Sequence, residues 1–255
     1  MIRTLAEKAL RNVRFRRRLP QEFGVTSMVV SPSCGLRYCR MDLRKVDPTL
    51  FRLAHEHVKP GDVVWDVGAN AGLFTFASAA MAGAAGHIVA FEPDTDLVAM
   101  LRKSCFDQTA PLPPITVIPA ACGKAVEPRQ FHLANRCRST NHLAGYGSNQ
   151  TGGTRETQTV MTVTLDWALS FFRPPNVLKI DVEGAEMEVL SGATKVLQEV
   201  RPIIICEVGD PSSTAVGNLL HGHGYRILDA DNPAAERDLE AAPWNTLAIP
   251  KSRDS

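Results

Sequence analysis

The chain has 255 residues, enough for one large α/β domain with its own core. Hydrophobic residues make up 44% and charged residues 22%, and the net charge of +1 excludes a global attraction to nucleic acid or an acidic membrane surface. No apolar run is long enough to span a bilayer, and the six cysteines form neither CxxC nor zinc-finger spacing, so they read as free thiols in a reducing, cytoplasmic setting.

Residues 1–58 read as an N-terminal extension. The segment "RNVRFRRRLP" (11–20) holds five arginines and predicts a basic surface helix. No apolar h-region follows it, so no secretory signal is expected. "TSMVVSPS" and "LRYCRMDL" predict a small hairpin, and Pro48–Val58 a helix leading into the core. The main domain spans 59–250, and 251–255 is a tail.

From Gly61 onward strands and helices alternate. The predicted strands are "DVVWDV" (62–67), "HIVAFE" (87–92), "ITVIPA" (115–120), "NVLKID" (176–181) and "PIIICEV" (202–208). Helical patterns cover Leu73–Met81, Asp94–Cys105, Glu186–Val200 and Ser212–His221, with Asp94 as an N-cap after Pro93. Strands apolar on both faces, alternating with helices, imply a parallel sheet covered on both sides. Residues 134–158 are polar and rich in Gly, Ser and Asn, and read as one long functional loop. "YRILDA" (225–230) and "NTLAIP" (245–250) are two further strands whose short, irregular connection favours an antiparallel return at the sheet edge.

The first strand breaks into Asp66-x-Gly68-x-Asn70-x-Gly72 before a helix starts. The glycines let backbone approach a ligand, Asn70 tolerates a left-handed conformation, and the free N–H groups of the new helix suit an anion. Glu92 ends the next strand, where an acid takes ribose hydroxyls in doubly wound folds. A ligand with an anionic end and a ribose follows, which describes both NAD and S-adenosylmethionine. The loop has Asn70 where the dinucleotide pattern wants glycine and lacks that pattern's third glycine.

"DVGANAGLFTF", "FEPD", "LKIDVEGAEMEVLSGA" and "RPIIICEV", in this order, resemble the FkbM family of methyltransferases, as does the terminal "NTLAIP". The resemblance covers roughly residues 58–250. It implies a class I methyltransferase (Rossmann-like) α/β fold. That fold has a mostly parallel seven-stranded sheet with an antiparallel C-terminal edge strand and helices on both faces. It also implies S-adenosylmethionine as methyl donor and, most often, O-methylation of a small-molecule or sugar acceptor. Carried over residue by residue, Asp66, Gly68, Asn70 and Gly72 should cradle the methionine part, and Glu92 the ribose. The turn near Ala120–Cys122 should border the adenine. Many relatives carry an acid just after that turn; here Lys124 stands in its place.

"LKIDVEGAE" concentrates the reactive groups. On a strand Lys179, Asp181 and Glu183 share one face, and Glu207 ends the neighbouring strand. Carboxylates gathered at the carboxyl ends of parallel strands lie where ligands bind. A positioned carboxylate can take the proton of an acceptor hydroxyl, and crowding raises its pKa. Asp181 is the leading candidate, followed by Glu183 and Glu207, with His142 in the polar loop as a further possible base. An ion pair of Glu207 with Lys179 is the plain structural alternative. No ligand spacing demands a metal. The His55/His57 and His221/His223 pairs read as surface residues, and Asn149 heads an N-x-T sequon. A nicotinamide-dependent oxidoreductase and a non-catalytic nucleoside-binding protein are the competing functions; nucleic-acid methylation would need a basic stripe beyond the arginine segment.

Overall fold

The structure is a computed structural model and describes residues 13–109, 111–147, 151–235 and 237–252. The described chain opens on a hairpin in which β1 (Phe15–Arg18) pairs antiparallel with β2 (Ser27–Val30). The arginine segment is therefore extended where it is described, not helical; residues 1–12, like the Asn149 sequon, lie outside the described residues. Alternation accounts for the strand, because Arg16 and Arg18 face solvent while Phe15 and Arg17 are half-buried. The Arg17 guanidinium donates to the carbonyls of Tyr38 (3.0 Å) and Met41 (2.9 Å). It thereby helps hold "LRYCRMDL" in 3-10 turns at Leu36–Cys39 and Leu43–Lys45, so the expected second half of the hairpin is not a strand. Helix α1 (Pro48–His57) follows, with proline in its first turn and Asp47 accepting from Leu50 N at 2.8 Å.

The alternating region then runs β3 (Val63–Val67), α2 (Leu73–Ala82), β4 (His87–Phe91), α3 (Thr95–Phe106) and β5 (Ile115–Ile118). Next come four strands, β6 (Ala121–Cys122), β7 (Glu127–Ala134), β8 (His142–Leu143) and β9 (Thr154–Val163). The chain closes with α4 (Leu165–Ala168), β10 (Val177–Ile180), α5 (Glu186–Ser191), β11 (Ile203–Glu207), α6 (Ser213–Gly222), β12 (Tyr225–Asp229) and β13 (Asn245–Pro250).

The main sheet has seven strands in the order β12-β13-β11-β10-β3-β4-β5. Strands β11, β10, β3, β4 and β5 are mutually parallel, and β13 is antiparallel to both β11 and β12. The antiparallel C-terminal strand thus lies at this side of the sheet, one place in from the outermost strand. The 230–244 connection is short enough to return the chain directly alongside β12. His221, expected at the surface, is half-buried and clips that connection, with its ring nitrogens 3.1 Å from Tyr225 O and 2.8 Å from Leu239 O.

Apolar side chains cover both faces. One core joins β3 and α2 residues such as Val64 and Phe74 to Phe23, Met28, Val30 and Tyr38 of the extension. The other holds Trp65, Phe91, Leu178 and Tyr225, and the Trp65 and Phe91 rings meet edge-on at 6.0 Å. Each such side chain contributes roughly 1.5–3 kcal/mol on burial. A second sheet, ordered β6-β9-β7-β8, carries a long antiparallel β7/β9 hairpin, and the region predicted as one polar loop (134–158) holds its strand β8 and the start of β9. The helix predicted over 186–200 is broken at Gly192, where a Cβ would collide with the carbonyl of Gly123 beside this second sheet. All six cysteines are free, and among the described residues no helix is long and apolar enough to cross a membrane.

Candidate active site

The strand-to-helix turn after β3 is built from left-handed residues, with φ of 76° at Gly68, 51° at Asn70 and 93° at Gly72. A Cβ on Gly68 would collide with the carbonyl oxygen of Asp181, so only glycine fits there. Gly68 N and Ala69 N both donate to Phe91 O at 3.0 Å, which ties the turn to the end of β4. Glu92 strengthens the tie: Oε2 accepts from Asn70 N and Oε1 from Asp94 N, each at 2.8 Å. Its carboxyl is buried, and that burial pushes its pKa up to about 8 against the two backbone bonds.

Asp66 is fully buried beneath this turn. Its Oδ2 accepts from Thr75 Oγ1 at 2.6 Å, and its Oδ1 lies 3.3 Å from Lys179 Nζ. Lys179 also donates to Gly68 O at 2.9 Å and lies 3.4 Å from Asp181 Oδ2. Burial opposes the lysine's charge, but Asp66 and Asp181 more than offset it and hold the pKa above its ordinary value. This lysine is a buried tie between the glycine turn and β10. Glu207 is not its partner: among the described residues the Glu207 carboxylate has no hydrogen bond or ion pair within 4 Å.

Asp181 follows the end of β10, and Glu183 takes a left-handed φ of 57° before Gly184 turns the chain toward α5. Burial, and then the nearby Asp181 charge, push both Glu183 and Glu207 up to about 8. The acid at the start of α5 is Glu186, whose Oε1 accepts from Gly184 N at 2.9 Å.

Two cavities meet here. The first is a cleft of about 560 Å³, part of it open to solvent; Gly68, Asn70, Glu92, Asp181 and Glu183 line one side. Phe91, Pro93, Phe131 and Leu143 form an apolar wall, and Ala121 and Cys122 also border it, at the turn after β5. The second is a cleft of about 360 Å³, also partly open to solvent, between α1, β10, β11 and β13, with Asp47, Asp181, Glu207 and Thr246 among its polar walls. Asp181 is the one residue common to both. Asp66 and Gly72 line neither; Asp66 lies under the turn, and Gly72 caps α2, where a Cβ would meet the Phe76 ring at 2.6 Å.

The second sheet roofs the first cavity. Arg138 lies buried and pairs with Asp94 and Asp96, and Asn141 Nδ2 donates to Asp94 Oδ2 at 2.8 Å. Sequence reasoning found Asp94 only as a helix cap and missed Arg138 and Asn141, because their partner lies more than forty positions away. His142 stays outside both cavities. It is buried in β8, with Nδ1 3.0 Å from Thr140 O and its ring 5.4 Å from that of His132. Lys124 lies 3.5 Å from Glu188 Oε1 and borders neither cavity. Among the described residues no group of three or more His, Cys, Asp or Glu side chains is arranged to hold a metal ion.

The profile of the Methyltransferase FkbM domain matches residues 66–227. A curated relative, the hexuronic acid methyltransferase AglP of Haloferax volcanii, is 31% identical over 166 residues, which cover 64% of this chain and 63% of the relative. The chain therefore spans less than two thirds of that relative's length. Among solved structures, the methyltransferase FkbM of Methylobacillus flagellatus is similar over 78% of this chain and 49% of its own, with a TM-score of 0.45 at 16% identity. Aeropyrum pernix fibrillarin, solved with S-adenosyl-L-methionine, covers 79% of this chain and 75% of its own, with a TM-score of 0.45 at 14% identity. Neither structural likeness carries weight on its own; the domain match, which takes in both the glycine turn and the carboxylate turn, does. The chain belongs to the FkbM methyltransferase family, whose methyl donor is S-adenosylmethionine.

Proposed function

We propose that this protein transfers a methyl group from S-adenosylmethionine to an oxygen of a small hydroxylated acceptor of sugar type. The observation that carries the reading is Asp181, the one side chain shared by a cavity of donor character and a cavity walled by acids.

The residues of the first cavity suit the donor. Asn70 Oδ1 is buried and has no hydrogen-bond partner among the described residues, an acceptor available to the ammonium of the methionine end. Glu92 uses one lone pair of each oxygen on backbone N–H groups, and its remaining lone pairs can accept from ribose hydroxyls. The apolar wall of Phe91, Pro93, Phe131 and Leu143 suits a flat base. When bound, S-adenosylmethionine supplies a methyl group already activated on a sulfonium.

The protein's own work is then alignment, exclusion of water and removal of one proton. Asp181 stands where the acceptor oxygen would have to face the donor. Its carboxylate lies 3.4 Å from Lys179 Nζ, which holds it in place and suits orientation. Glu207, unpaired on the second cavity's wall, is suited to receive a hydroxyl proton. The relative named for hexuronic acid supports an acceptor of sugar type.

Calorimetric titration with S-adenosylmethionine, NAD and NADP tests the donor. Wild type should bind the first at micromolar levels, and Glu92→Ala should weaken it by roughly 1–3 kcal/mol. Tight nicotinamide binding without donor binding would overturn the reading.

A further inference from the structure

We infer that the second cavity takes its acceptor through hydroxyl hydrogens and refuses a carboxylate, so that it selects a neutral sugar over a sugar acid, and that Asp231 is the positioning residue that sets this preference. The inference rests on the sugar-type reading above, with the acceptor on the Glu207 side of Asp181, and adds the class of sugar that this side selects.

Thr49 lies in the first turn of α1 and Asn245 opens β13, so they come from opposite ends of the chain, and both line the cavity. Asp231 joins them. Its Oδ1 accepts from Thr49 Oγ1 at 2.9 Å and its Oδ2 from Asn245 Nδ2 at 2.8 Å. Asp231 itself is exposed and lines neither cavity. The turn that carries it is fixed, because Asp231 N donates to Asp229 Oδ1 at 2.9 Å and Arg52 of α1 donates to Ala230 O.

The consequence lies in where the hydrogens go. A hydroxyl has one to give. Thr49 gives its own to Asp231, and Thr246 gives its own to Pro243 O at 2.6 Å. Lys179, on the same wall, is already engaged by Gly68 O, Asp66 and Asp181. The amino end of α1 would attract an anion, but the Asp47 carboxylate already caps it, 2.8 Å from Leu50 N. These side chains keep lone pairs for a guest, on the Thr49 and Thr246 hydroxyls, on Asn245 Oδ1 and on the carboxylates of Asp47, Asp181 and Glu207. Among the described lining residues, the second amide hydrogen of Asn245 is the one strong side-chain donor left when Glu207 is ionised, the state in which Glu207 can receive a proton. Burial raises the pKa of Asp47 and Glu207, and Lys179 and Arg37 lower it again; Lys179 is engaged, and Arg37 is exposed and lines neither cavity. Ring hydroxyls satisfy such a wall by donating to it. A carboxylate would meet lone pairs and charges of its own sign, and desolvating it without donors is costly.

Saturation-transfer NMR titrations on the full chain test this, with S-adenosylhomocysteine present and methyl β-D-glucoside and methyl β-D-glucuronide as probes. They are run above about pH 8, where Glu207 is ionised. The glucoside should bind at least about tenfold tighter than the glucuronide. Asp231→Ala returns the Thr49 and Asn245 hydrogens to the cavity and should narrow that ratio to within about threefold. Asp231→Asn, which can still accept from one of the two, should keep part of it. Calorimetric donor affinity of Asp231→Ala should stay within about twofold, since the residue lines neither cavity. A variant that weakens both probes alike and leaves the ratio unchanged would overturn the role of Asp231. A glucuronide that binds as tightly as the glucoside would overturn the neutral-sugar inference and leave the sugar-type reading standing. Binding of neither probe by protein that binds donor normally would overturn both.

Discussion

The carbonyl oxygen of Asp181 occupies the space that a side chain on Gly68 would need. The glycine turn after β3 and the carboxylate turn after β10 are therefore packed backbone to backbone, and neither can shift alone. Lys179 reinforces the junction from below by bonding Gly68 O and pairing with Asp66 and Asp181.

Gly68→Ala should push these two turns apart. A left-handed φ costs a residue with a Cβ roughly 1–2 kcal/mol before the collision is counted. Donor affinity should fall at least about tenfold, with a lower Tm. Calorimetry and thermal unfolding read the two effects separately, and unchanged donor affinity would show that the turns are not coupled through this contact.

Stability should fall as pH rises toward alkaline values. Glu92, Glu183 and Glu207 titrate at about 8 in the folded protein, chiefly because they are buried, against an ordinary value of 4.5. The native state therefore holds protons that the unfolded chain has already released. The contribution of these groups is fully present below pH 4.5 and is lost as pH rises through 8. Tm measured from pH 6 to 9 should decline, and Glu92→Gln should flatten part of the decline. A Tm that rises over this range would contradict the sign.

Glu207→Gln separates proton removal from binding. If Glu207 receives the acceptor's proton, kcat should drop on the order of 10²-fold while calorimetric donor affinity holds. In wild type kcat should climb with pH until Glu207 is ionised, near 8. A pH-independent kcat in wild type would move the proton elsewhere.

Arg138→Met should loosen the roof of the first cavity. The guanidinium is buried against Asp94, whose side chain is only 2% exposed, so removing it leaves a buried charge without its partner. Losses of about 3–5 kcal/mol are expected for breaking such a pair. Urea unfolding gives the total, and amide exchange in β7 and β8 should accelerate first.

Much of this was legible in the order of residues alone. The seven strands of the main sheet are short apolar runs bounded by Gly, Pro and Asp, and each lies within two residues of its expected place. Asp94 and Pro48 mark helix starts through local chemistry, a capping oxygen and a preset φ. The glycine turn was legible for the same reason, since left-handed backbone selects Gly and Asn wherever the chain goes next.

The rest depended on partners distant in sequence. "TRETQTVMTV" is a half-exposed strand whose polar first half reads as loop until it pairs with "EPRQFHLA". The arginine strand β1 exists because β2 lies beside it and Arg17 reaches the carbonyls beyond residue 37. Lys179 could equally have faced Glu207; packing against Gly68 and Asp66 chose otherwise. The sequence by itself determined the local elements and the residue types of the glycine turn, because dihedral preference and apolar periodicity act over a few residues. Only the tertiary structure decided which carboxylates stay free, that His142 faces away, and that Asp181 stands between two cavities. Those outcomes depend on which strands become neighbours and how tightly their ends pack.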